Sequence, residues 1–137
     1  MDSLYCLRIE HPETGLGPYV GMPESFDDAS WDLLTSITMP HSDSEAHPPL
    51  RYMSPILYET DFYYGVPLED FFCGFENKEQ AWAWFGRSDL ELLKDLGFVL
   101  LGFEVKGRVL RDGKQIAFQK HKSKLVHYDR WDLIGIS

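Results

Sequence analysis

A chain of 137 residues, 44% hydrophobic and 15% aromatic, carries enough apolar surface for a packed core and too much for a disordered tail. Two cysteines exclude a disulfide framework, no apolar run reaches the roughly 18 residues that span a bilayer, and Met1-Asp2-Ser3 opens no secretory signal, so one cytosolic domain over residues 1–137 is expected. The net charge of −9 is lopsided: residues 1–76 hold 14 of the 22 acidic groups against Arg8 and Arg51, a charge of −12, whereas residues 77–137 carry +3. An anionic half repels nucleic-acid backbones and steers toward basic protein surfaces, so no direct nucleic-acid contact is expected.

In chain order, Leu4–Glu10 reads as a first strand, with Leu4, Cys6, Arg8 and Glu10 on one face and Tyr5, Leu7 and Ile9 on the other. Prolines at 12, 18 and 23 and glycines at 15, 17 and 21 then predict an ordered loop. Ser25 followed by Asp28 suits a helix N-cap before Phe26, Ala29, Trp31, Leu33 and Leu34, and the proline-bounded stretch 38–49 reads as a surface loop. Residues 51–64 are aromatic-rich and irregular, with a short strand or helical turn at most. FFCGFE over 71–76 predicts another strand.

Asn77 with Gln80 forms a capping pair ahead of a helix directing Ala81, Trp82 and Phe85 inward. Gly86 breaks it, and Ser88 with Glu91 predicts a second capping box before Leu90, Leu92, Leu93 and Leu96. Period-2 spacing from Phe98 to Val105, the turn signal Arg111-Asp112-Gly113-Lys114 and the return through Ile116 and Phe118 predict a hairpin over 98–119. Lys120–Lys124 reads as a basic, solvated turn, and Leu125–Tyr128 and Trp131–Ile136 each suit a last strand. The pattern describes an α+β domain with a mainly antiparallel sheet, a C-terminal hairpin and two or three short helices.

Two constellations carry candidate chemistry. Arg8, at the end of a strand feeding a Gly/Pro loop with His11 and Tyr19, can hold a phosphate or carboxylate through paired hydrogen bonds; pairing with Glu10 or Glu13 is the alternative. Glu59, Asp61, Phe62, Tyr63, Glu69 and Asp70 place aromatic anchors among carboxylates, a composition that suits either a protein-binding face or half of a core. The histidines at 11, 41, 47, 121 and 127 lack ligand spacing, so no metal is expected. No serine-hydrolase elbow, P-loop or dinucleotide glycine motif occurs. Cys6 and Cys73, set among Leu, Phe and Tyr, read as buried reduced thiols.

The runs YCLRIEHPETGLGPY, GFENKEQAWAWF and GKQIAF resemble a small family of phage and prophage accessory proteins. That resemblance implies a counter-defence protein of the anti-CRISPR kind. It would act in the host cytoplasm without a cofactor, on a host protein or ribonucleoprotein complex. The order of elements also resembles the ADP-ribosyltransferase fold, which implies NAD as cofactor, Arg8 at the first-strand position, His11 and Tyr19 lining the site, and Gln115 near the position of the catalytic glutamate. Gln115 is an amide where that family has a carboxylate, and Gly74-Phe75 stands where it has a serine.

Overall fold

The computed structural model describes residues 4–19, 26–39, 47 and 50–136. Among them, eight strands and four α-helices follow one another as β1 (Tyr5–Glu10), α1 (Asp28–Thr38), α2 (Pro55–Thr60), β2 (Phe62–Tyr63), β3 (Val66–Pro67), β4 (Phe72–Gly74), α3 (Lys78–Phe85), α4 (Arg87–Asp95), β5 (Val99–Glu104), β6 (Val109–Arg111), β7 (Ile116–Phe118) and β8 (Lys124–His127). The chain is α+β and its strand pairs are antiparallel.

Two three-stranded sheets, ordered β1-β5-β8 and β4-β7-β6, form the frame, and β2-β3 is a separate small ribbon. The two sheets meet where Leu7 and Phe75 exchange backbone hydrogen bonds of 2.8 and 2.7 Å. At that seam Gly74 lies so close to β1 that an added Cβ would collide with Cys6 Sγ and sit 2.8 Å from the Leu7 carbonyl. Only a glycine lets the strands approach this closely.

Alternation along the strands divides the core. Cys6, Val99, Leu101, Phe103, Ile116 and Phe118 fill the space between the sheets. Ile9 and Leu100, on the opposite face of β1 and β5, pack under Leu34 and Ile37 of α1, Ala81, Trp84 and Phe85 of α3, and Leu90 and Leu93 of α4. Ala117 and Leu110, facing outward from the second sheet, pack beneath Leu57 of α2 and Phe71. The period-2 pattern thus serves three layers.

Several expectations change. The hairpin is only β6–β7, because β5 pairs along its whole length with β1 and also with β8. Between β5 and β6 the chain is drawn aside: Ser123 Oγ accepts from Lys106 N and the buried Gln119 Oε1 from Arg108 N. The hairpin ladder closes at Arg111 and Ile116, with the positive φ of 83° at Gly113 alone and Asp112 Oδ1 accepting from Lys114 N and Gln115 N.

The α1 cap is Asp27, accepting from Ser30 N at 2.8 Å; Ser25 lies outside the described residues, as does most of the 38–49 loop, whose first residue, Thr38, ends α1. Asn77 caps α3 as expected, through Gln80 N at 2.9 Å. Trp84 takes the buried place expected of Trp82, which is 39% exposed and donates its indole N–H to Ile134 O. Helix α4 begins directly after Gly86 and places Ser88 inside the helix, so the second capping box does not form. Residues 51–64 are more regular than expected, with a 3₁₀ turn over Leu50–Met53, then α2 and β2. Trp131–Ile134 is a 3₁₀ turn, not a strand.

Candidate functional site

The seam between the sheets explains the site. A ladder continuing from Leu7–Phe75 would next pair Ile9 with Cys73. Instead the strands part, and the Cys73 carbonyl accepts a hydrogen bond from Arg8 Nη1 at 2.7 Å. The gap becomes a cavity of about 550 Å³. Phe71, Phe72, Phe75, Trp84 and Phe85 give it an aromatic wall, and Arg8 and the loop Leu16–Tyr19 line the rest. Gln115 projects from the β6–β7 turn.

Arg8 is 5% exposed. Its Nε donates to Glu10 Oε1 at 2.9 Å, so with Nη1 on Cys73 O the remaining nitrogen, Nη2, makes no hydrogen bond among the described residues. Glu10, also buried, takes a second cation: Lys120 Nζ stands 2.9 Å from Oε1 and 3.1 Å from Oε2, and donates to Gly15 O at 3.3 Å. Phe72 turns its ring to both cations, 5.0 Å from the Arg8 guanidinium and 5.2 Å from Lys120 Nζ. Arg8 is the one Lys, Arg, Asp or Glu among the described lining residues.

The wall is held by polar contacts at its rim. Trp84 Nε1 donates to Tyr19 Oη at 2.8 Å, the Tyr19 ring stacks on Phe85 with centroids 6.1 Å apart, and His47 Nε2 lies 2.9 Å from Trp84 O. Burial pushes the Tyr19 phenol well above its ordinary value, and the Trp84 hydrogen bond offsets only part of this. Cys73 is likewise pushed up to about 11 by burial, against the pull of Arg8, and Cys6 rises further for the same reason. Neither thiol is a nucleophile near neutral pH.

Three of the four residues singled out by sequence, Arg8, Tyr19 and Gln115, therefore line one cavity although they lie more than a hundred positions apart at the extremes. His11 does not join them. It is buried between Phe26 and Phe98, 5.5 and 5.2 Å from their rings, and its Nδ1 accepts from Glu13 N. The serine expected by the transferase resemblance is absent, and Gly74 serves close strand approach there.

The second constellation is also gathered. Leu68 N donates to Asp61 O and Phe62 pairs with Pro67, folding α2 and the β2–β3 ribbon into one projection. On it Glu59, Asp61, Glu69 and Asp70 are exposed, Phe62 is 50% exposed and Tyr64 62%. Tyr63 departs from the set: it is half-buried, with its ring against Tyr64 and Phe71. Glu59, Glu69 and Asp70 enter no ion pair among the described residues.

A family model described as Bacteriophage T4 Y00F protein matches residues 3–132. The chain belongs to this family. No curated protein and no solved structure matches it. The match places the Arg8 cavity and the acidic projection within the span shared with the Y00F family, since both lie between residues 8 and 120. No described helix is long and apolar enough to cross a membrane, and the described residues contain no cluster of His, Cys, Asp or Glu able to hold a metal.

Residues that sequence reasoning passed over complete the site. Trp84 was hidden behind Trp82, two positions earlier on the helix, and Lys120 behind its basic neighbours. Phe71 and Phe75, in the predicted 71–76 strand, belong by sequence to the aromatic set that suits a protein-binding face or half of a core, and nothing local joins them to the Arg8 loop. Lys120 carried no local signal, because its partner Glu10 lies 110 positions away.

Proposed function

We propose that this Y00F-family protein binds an anionic ligand with an aromatic ring, a nucleotide of the NAD or ADP class, in the Arg8 cavity. The observation that supports this best is the convergence of a buried, incompletely satisfied guanidinium with stacked aromatic walls in one cleft. Planar rings fit Trp84, Phe85 and Tyr19, and a phosphate suits Arg8. The reading follows the ADP-ribosyltransferase resemblance as far as binding. Gln115 can donate and accept hydrogen bonds, but its neutral amide supplies no charge for a cationic sugar carbon, so transfer to a host protein or nucleic acid is the part the site supports least. Calorimetric titration with NAD and ADP tests the reading. Saturable binding by the wild type, weakened about tenfold or more in Arg8→Ala and less in Arg8→Lys, is expected. No saturable binding of either nucleotide by the wild type would overturn it.

The exposed projection favours a second reading, a counter-defence inhibitor of the anti-CRISPR type. It would dock on a host nucleic-acid-handling complex in the cytoplasm, with Phe62 and Tyr64 as anchors and Glu59, Asp61, Glu69 and Asp70 as steering charges. Reversing Asp61 and Glu69 to lysine should slow association and flatten its salt dependence while the far-UV spectrum stays unchanged. Salt-insensitive association with such a complex, measured by surface plasmon resonance, would remove this reading.

A further inference from the structure

We infer that Glu10 and Lys120 are positioning residues that make the Arg8 cavity selective for an anion over a neutral ring; this rests on the nucleotide reading above. One buried carboxylate is shared by two cations, Arg8 at 2.9 Å and Lys120 at 2.9 Å, so the cluster keeps a single net positive charge. The side chains are 6%, 8% and 17% exposed, and water screens them poorly. No Asp or Glu among the described lining residues supplies the missing counter-charge. The Phe72 ring offsets part of the excess through its negative face, but a ring carries no net charge.

Geometry assigns the two residues different tasks. Glu10 and the Cys73 carbonyl hold Nε and Nη1, which leaves Nη2 as the nitrogen that can turn to a ligand. Lys120 competes for the same carboxylate oxygen and thereby keeps Glu10 from neutralising Arg8 completely. It also ties Gly15 O, immediately before the stretch of loop that lines the cavity, to this cluster. The preferred ligand is accordingly a phosphoester of an aromatic base, and an uncharged nucleoside gains only the aromatic wall.

Because Glu10 and Lys120 act through charge in opposite senses, their removal should shift anion affinity in opposite directions, which a purely structural role cannot do. The probes are ADP and adenosine, titrated calorimetrically against the full chain. Lys120→Met should weaken ADP about tenfold and leave adenosine within about twofold, with Lys120→Arg restoring most of the loss. Glu10→Gln should bind ADP more tightly than wild type, with a steeper salt dependence, and weaker ADP binding by a folded Glu10→Gln would overturn the inference. If Glu10→Gln does not fold, the Lys120 pair decides alone. Equal losses for ADP and adenosine, or no rescue by arginine, would overturn the inference while leaving the cavity a nucleotide site. Failure of the wild type to bind ADP at all would instead overturn the nucleotide reading and this inference with it.

Discussion

Cys73, which lines the cavity, and Cys6, in the core between the sheets, are held neutral by their surroundings, which has a consequence for stability. Cys73 moves from an ordinary value of 9.0 to about 11 because burial penalises the thiolate more than Arg8 favours it. Below pH 9 the folded and unfolded chains both keep this proton, so the preference costs nothing. Between pH 9 and 11 the unfolded chain ionises while the folded one does not, and stability falls as pH rises. Cys6 and Tyr19 shift in the same direction and add to the trend. Thermal midpoints recorded from pH 8 to 11 should therefore decline, and Cys73→Ser should show a shallower decline than wild type. Equal slopes for the two proteins would show that Cys73 is not held neutral.

Single elements show how local signals succeed and where they stop. Asn77 and Gln80 were legible as a cap because the interaction spans three residues: Asn77 Oδ1 accepts from Gln80 N, and Gln80 Oε1 from Glu76 N, each at 2.9 Å. This turn orients α3, which carries Trp84 and Phe85 into the cavity wall. Asn77→Ala should lower unfolding free energy by about 1 kcal/mol, and Asn77→Asp should retain most of it, as read from urea midpoints. An unchanged midpoint in the alanine variant would mean that packing of Ala81, Trp84 and Phe85 alone sets the helix start. The Ser88–Glu91 pair has the same spacing as a capping box yet caps nothing, because Gly86 at φ 80° lets α4 start two residues earlier. Likewise β5 alternates as a hairpin arm would, but alternation reports which face is buried and not which strand lies alongside. Its partner, β1, comes from the other end of the chain.

At the scale of the whole molecule, the cavity exists because two sheets are joined at one residue pair and separate beyond it. That seam joins residues 68 positions apart, and the charge cluster behind it joins residues 110 apart, so neither leaves a mark in any window of sequence. The single residues Arg8, Tyr19 and Gln115 were legible as chemistry, and their meeting was not. A site built across a seam binds only the folded arrangement, so occupancy should stabilise the whole chain by mass action. At an ADP concentration about 100 times its dissociation constant the gain is about 2.7 kcal/mol. For a chain of this size that is an upward shift of several degrees in melting temperature. Arg8→Ala, compared at the same ADP concentration and weakened about tenfold or more, should show about half of the shift or less even if its own midpoint is near that of wild type. Differential scanning calorimetry checks both. An equal ADP-dependent rise in Arg8→Ala would place nucleotide binding elsewhere on the molecule and leave the cavity as packing space between two sheets.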